Sequence, residues 1–164
     1  MQDKKLIFEK VAEMLKKHGF TVVDKDDKRP WGGFYVIDEN QAGHFAEYFF
    51  PEENISSLKI TNKLSPKILI VAPHQRLSWQ YHHRRAEIWK CIDKPVAVKT
   101  SDTDEEKTKH VLHDGEIIKL KQGERHRLIG MDDWGIVAEI WQHTDTSNPS
   151  DEDDIVRLQD DYGR

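Results

Sequence analysis

The sequence predicts an all-β domain, an antiparallel sandwich or barrel, with a single N-terminal helix. Three observations carry that reading. Short apolar runs recur from Phe34 to Trp141, bounded by Pro, Gly, Asn and Asp turn signals at intervals of roughly eight to twelve residues. One segment alone has convincing helical spacing. The chain's 164 residues suit one domain large enough to bury a real core.

The helix is expected over residues 4–17, where Ile7, Val11, Met14 and Leu15 fall on one stripe and His18-Gly19 supplies the stop. Residues 20–23 read as a short strand, 24–29 as a charged link, and Pro30-Trp31-Gly32-Gly33 as a turn into a strand at 34–37. A loop near 38–43 precedes the apolar segment 45–50 and a turn at 51–54. Strands then follow at 55–61, 67–72, 77–81, 87–92 and 96–100. The charged stretch 101–109 reads as an exposed hairpin loop, and further strands are expected at 109–112, 116–121, 126–129 and 135–141. Residues 144–154 are polar and acidic, and the tail 155–164 is a weak strand or an irregular segment. Residues 1–28 thus form a helix and link ahead of a β domain at 29–164.

Lys and Arg number 25 against 30 Asp and Glu, giving a net charge of −5. Such a chain has no gross attraction for nucleic acid or anionic membrane, so any phosphate-binding site must be local. No apolar run approaches the roughly 20 residues that span a bilayer. Cys91 is the sole cysteine and forbids an intrachain disulfide, and the N-terminus lacks a secretion signal. A cytoplasmic protein is expected, and a homodimer is left open.

The chemistry concentrates in residues 66–89. A buried strand there ends at Pro73-His74, and Gln80, His82 and Glu87 follow closely. Residues 80 and 82 share a face of an extended chain, and Glu87 can return to it after a turn. A second stretch, 115–130, offers His126 just past Gly123. Gln80, His82, Glu87 and His126 form a mixed nitrogen and oxygen set suited to a divalent metal, Zn first, with Mn, Fe, Co or Ni also compatible. His83 should face away from His82, and His74 should be solvated in its turn. Arg84, Arg85 and Arg127 are candidate phosphate binders, because guanidinium groups present paired donors. Glu139 is a carboxylate inside an apolar strand, which must meet a cation or work as an acid/base.

The two stretches resemble the paired motifs of cupins, which implies a double-stranded β-helix, the jelly-roll barrel, behind the N-terminal α-helix. More narrowly, Leu77-Ser-Trp-Gln-Tyr-His-His-Arg-Arg-Ala-Glu-Ile-Trp89 resembles the Leu-Ser-Leu-Gln-x-His-His-His-Arg-Ser/Ala-Glu-His-Trp signature of type II mannose-6-phosphate isomerases. Residues 152–164 resemble that family's C-terminal signature, and Arg29-Pro30-Trp31-Gly32 adds a third match in family order. Arg84 stands where the family run has its third histidine. Ile88 replaces another histidine, which is expected to remove a polar group beside the site.

The resemblance implies a metal-dependent aldose–ketose isomerase of sugar phosphates, moving a proton between C1 and C2 through an enediolate. Arg85 and Arg127 match arginines of the family signatures and are expected to contact the substrate, as are Arg157 and Arg164 of the tail; Glu139 and Arg85 are the expected catalytic groups. Another metal-dependent cupin enzyme, a dioxygenase or a sugar-nucleotide epimerase, would use the same barrel, as would a non-catalytic sugar-binding cupin.

Overall fold

The computed structural model describes residues 3–58 and 63–163. It opens on helix α1, Lys4–Lys17. Asp3 caps it by accepting from the Leu6 amide at 2.9 Å, and Lys16 and Lys17 lie at its carbonyl end, where cations are favoured. Gly19 then adopts φ +80°, a left-handed conformation that glycine takes without strain.

Strands β1 (Val22–Arg29) and β2 (Gly32–Ile37) form a hairpin, followed by α2 (Ala42–Phe49) and one turn of helix, α3 (Ile55–Leu58). Nine strands complete the chain: β3 (Lys67–Val71), β4 (Trp79–Tyr81), β5 (Arg85–Ile92), β6 (Val96–Ser101), β7 (Thr108–Leu112), β8 (Ile117–Leu120), β9 (Arg125–Gly130), β10 (Gly135–His143) and β11 (Val156–Gln159). They form two antiparallel sheets, ordered β1-β2-β3-β10-β5-β8 and β11-β4-β9-β6-β7. This is the expected all-β architecture. No helix among the described residues is long and apolar enough to cross a membrane.

The core has two parts, divided by the larger sheet. One lies between the sheets and contains Leu69, Val71, Trp89, Cys91, Val98, Leu128 and Val137. The other lies outside the larger sheet, where Ile68, Ile70, Ile88, Ala138 and Ile140 meet α1 and α2 through Phe8, Val11, Leu15, Phe45 and Phe49. Alternation along β3, β5 and β10 therefore sends odd-numbered residues into the barrel and even-numbered ones to the helices. Both faces are largely buried, so apolar residues occupy both faces of these strands.

Three local expectations are corrected. The charged link 24–29 is most of β1, because a strand with no buried residue suits a sheet edge, where charges also discourage pairing with other chains. The N-terminal helix is not the only one: the apolar segment 45–50 is helical through Phe49, since Ala42, Phe45, Ala46 and Phe49 fall at helix spacing and share one buried face. The strand expected at 55–61 begins as α3, and its remaining residues 59–61 lie outside the described residues.

Candidate metal centre

His82 follows β4 directly, Glu87 sits on the inward face of β5, and His126 lies on β9 opposite Gln80 of β4. The fold brings the first three together: their ligand atoms all lie within 4.8 Å of one another, and all three residues are buried. His82 Nε2 is 3.3 Å from Glu87 Oε2, and His126 Nε2 is 3.6 Å from Glu87 Oε1.

The hydrogen bonds behind the rings fix the chemistry in front of them. His82 Nδ1 donates to the Asp154 carbonyl at 2.7 Å, and His126 Nδ1 donates to the Glu124 carbonyl at 3.0 Å. Carbonyls only accept, so each neutral ring carries its proton on Nδ1 and turns the Nε2 lone pair towards Glu87. Burial lowers the pKa of both histidines, His82 to about 4, which keeps them in that neutral, ligating form. Burial alone would raise Glu87. The Arg85 guanidinium, charged and hydrogen-bonded to it, outweighs burial and holds the carboxyl well below the usual carboxylate range. Two imidazole lone pairs and a carboxylate converge with no proton between them, and this donor set fits a divalent cation.

Gln80 lies beside this group and lines the same cavity. Its amide nitrogen donates to the Ser78 carbonyl and hydroxyl at 3.2 and 3.0 Å, which leaves its oxygen as the atom able to ligate. Arg85 is the bracket of the centre. It donates to Glu87 at 2.7 Å and to Ser150 Oγ and the Asp151 carbonyl at 3.0 Å, lies 3.3 Å from His82 Nε2, and covers the Trp141 ring at 3.5 Å. Four of its five N–H groups are therefore engaged.

The cavity, of about 80 Å³, is lined by the cations Arg29, Lys67, Arg85 and Arg157 and the carboxylates Glu87, Glu139 and Glu152. Glu139 projects inward from β10 and accepts from Trp141 Nε1 at 2.7 Å. Burial first, and the negative charge of Glu87 second, push its pKa up to about 8. It is a carboxylic acid that keeps its proton at neutral pH. Arg157 of β11 pairs in register with Gln80, so the tail strand forms part of the wall.

Arg127 is not brought to the cavity. It follows His126 directly in β9 and points to the opposite face, where it donates to the Leu77 carbonyl at 2.9 Å and Gln159 at 2.6 Å and pairs with Glu106 at 3.4 Å. The expectation that Arg127 joins Arg85 in contacting a phosphate is corrected by strand alternation. Ile88 likewise faces the helices, so its replacement of a histidine leaves the centre untouched. Arg84 pairs with Asp151 and Asp154 outside the cavity, and Arg164 lies outside the described residues. His83 is exposed, and His74 is exposed in its turn beside Asp132.

Sequence reasoning missed Lys67, Arg29, Trp31 and Asp154. Lys67 had a signal: within Lys67-Ile-Leu-Ile-Val71 it shares its face with Leu69 and Val71, which places a charge inside the barrel. Its ammonium pairs with Glu152 and lies 4.7 and 5.2 Å from the rings of Phe34 and Trp141. The Asp154 carboxylate accepts from the amides of His83 and Arg84 at 2.9 Å, which fastens the loop after His82 to the tail.

Two sheets of short antiparallel strands closed around an interior His, His and Glu define a cupin barrel with a metal-ligating group. The chain belongs to the family described as mannose-6-phosphate isomerase C-terminal, whose model matches residues 40–160. No curated protein matches the sequence. Among solved structures it is similar to the capsular polysaccharide assembling protein CapF from Staphylococcus aureus, at 11% identity and TM-score 0.56, over 85% of this chain and 32% of that one. It is also similar to an oxalate oxidase, at 16% identity and TM-score 0.54, over 80% of this chain and 58% of that one. At such identities the likeness is one of fold.

Proposed function

We propose that the chain is a metal-dependent aldose–ketose isomerase acting on a sugar phosphate, of the mannose-6-phosphate isomerase kind. The observation that carries this reading is the cavity itself, where a proton-holding Glu139 and several cationic side chains share the wall with Glu87, the carboxylate of the His82, Glu87 and His126 group. With Glu139 neutral and Arg29 paired to Asp26 at 2.8 Å, the cations Lys67, Arg85 and Arg157 face the carboxylates Glu87 and Glu152, and that balance suits an anionic phosphate.

His82, Glu87 and His126 would hold the metal, with Gln80 as a fourth donor. When bound, the ion would polarise the substrate's C1 and C2 oxygens and stabilise negative charge developing there. Arg85 holds Glu87 in place and keeps it ionised, with one N–H left for the substrate. Arg157 and Lys67 take the phosphate; Glu152, the partner of Lys67, is a largely exposed carboxylate that an incoming anion can replace. Glu139 holds its proton on Oε2, because Oε1 accepts from Trp141; it gives that proton to the substrate's carbonyl oxygen and takes one back from the neighbouring hydroxyl as the hydrogen moves between C1 and C2.

Incubation of zinc-loaded protein with mannose 6-phosphate, followed by product analysis, tests the reading. Interconversion with fructose 6-phosphate is expected, and it should vanish in the His82→Ala, His126→Ala double variant. Absence of any interconversion with Zn, Mn, Fe, Co and Ni in turn would overturn it, and binding without turnover would identify a sugar-binding cupin instead.

A further inference from the structure

The Arg29-Pro30-Trp31-Gly32 segment has so far no role beyond its turn. Arg29 and Gly32 pair across the β1–β2 hairpin, which leaves Pro30 and Trp31 as its two loop residues. Loop residues of a hairpin are ordinarily polar and exposed. Trp31 is only 4% exposed, packs with Leu69, Leu77 and Trp89, and lines the cavity.

Its indole N–H is the one buried side-chain polar atom without a hydrogen-bond partner among the described residues. The neighbouring indoles differ: Trp79 donates to the Asp104 carbonyl, Trp89 to Glu87 and Trp141 to Glu139. A buried donor left unpaired is costly, and native structures rarely retain one without a use. The ring is also held where it is. The Ala72 amide donates to the Trp31 carbonyl at 2.8 Å, and Gly32, at φ +142°, lies so close to β3 that a Cβ there would come within 1.9 Å of the Ile70 carbonyl oxygen. Every other residue at position 32 would push the hairpin, and Trp31 with it, off the cavity wall.

We propose that the Trp31 indole N–H is a specificity donor that binds an uncharged oxygen of the substrate, a hydroxyl or carbonyl of the sugar. The inference rests on the sugar-phosphate reading above. An uncharged oxygen is favoured because this wall is apolar, with Leu69 and Leu77 beside the ring, whereas the phosphate has Lys67 and Arg157. A ligand oxygen entering the cavity pairs the donor, so ligands lacking an oxygen there are discriminated against.

Proton–nitrogen NMR of zinc-loaded protein reads this directly, with the Trp31 indole signal assigned by its loss in Trp31→Phe. Mannose 6-phosphate and mannose should each shift that signal downfield, and inorganic phosphate should not. Trp31→Phe, which keeps an aromatic ring, should bind mannose 6-phosphate roughly three- to tenfold more weakly, the effect of one neutral hydrogen bond. Movement of the Trp89 and Trp141 indoles while Trp31 stays still would overturn this proposal and leave the functional reading intact. A Trp31 shift with inorganic phosphate alone would also overturn it, by making the donor an anion contact. If no probe moves any indole signal, the sugar-phosphate reading fails and this proposal falls with it.

Discussion

Replacing Glu139 by Gln separates what the buried carboxyl does for folding from what it does for chemistry. In the folded protein the group's pKa is about 8, raised from 4.5 by burial and by Glu87. The folded state therefore binds a proton that the unfolded chain has already released between those values. The stability associated with that proton is fully present below pH 4.5 and is lost as pH rises through 8. The slope is roughly 1.4 kcal/mol for each pH unit, on the order of 4 kcal/mol between pH 5 and 8. Glutamine is a neutral isostere that can still accept from Trp141, so Glu139→Gln should flatten the profile and overtake the parent in stability above about pH 8. Urea unfolding of metal-free protein at half-unit pH steps measures this. Loading with zinc should reduce the parent's slope, because the charge on Glu87 is then offset. Isomerase turnover should meanwhile be lost in the variant at every pH, since the amide has no proton to give. Parallel stability profiles for parent and variant would refute the raised pKa. Undiminished turnover would remove Glu139 from the chemistry.

Metal content of protein purified without chelator should be one divalent ion per chain, and elemental analysis should find it gone from the His82→Ala, His126→Ala variant. Arg157→Ala should weaken sugar-phosphate affinity by about ten- to a hundredfold, with Arg157→Lys recovering only part, as calorimetry would show. Arg127→Ala should leave that affinity and the metal content alone. It should cost roughly 2–4 kcal/mol in chemical unfolding, because the Leu77 carbonyl and Gln159 lose their buried donor.

The ligand group was legible because its signal is local. His82 and Glu87 lie on either side of one turn, and His126 follows a glycine at φ +79° that marks another. Alternation also held information that went unread: it places Arg127 on the face opposite His126 and Ile88 opposite Glu87. The cation lining was not legible, because Arg29 and Lys67 come from β1 and β3 of one sheet and Arg157 from β11 of the other, and only the packing of the two sheets brings them around one cavity. Helix α2 was lost for a different reason. A run as apolar as residues 45–50 suits a strand or a helix alike, and packing against α1 decides between them.

The C-terminal tail was expected to bring Arg157 and Arg164 to the substrate, and the hydrogen bonds divide it into two parts. The inner part, through Gln159, reaches the ligands themselves: the Asp154 carbonyl fixes the His82 tautomer, its carboxylate holds the His83 and Arg84 amides, and β11 carries Arg157 to the cavity. The outer part fastens it, with Asp161 on Arg76 at 2.7 Å and the Tyr162 hydroxyl donating to Gln75 at 2.6 Å. Deleting residues 160–164 should therefore leave metal content intact and loosen β11, which hydrogen exchange of the β4 and β11 amides would detect. Deleting residues 153–164 should cut metal affinity by roughly ten- to a hundredfold, the usual effect of removing the group behind a ligating histidine. Asp154→Asn tests the same joint with one side chain. Burial would raise this carboxyl, but hydrogen bonds from Ser150, His83 and Arg84 outweigh it and bring the pKa to about 2. Its contribution, roughly 2 kcal/mol, is present above the unfolded value near 4 and lost as pH falls through 2. Asparagine should forfeit most of it at neutral pH while keeping the backbone carbonyl on His82. Metal affinity should accordingly fall less in Asp154→Asn than in the 153–164 deletion. Equal metal affinity in the parent and in that deletion would show that the tail only covers an edge.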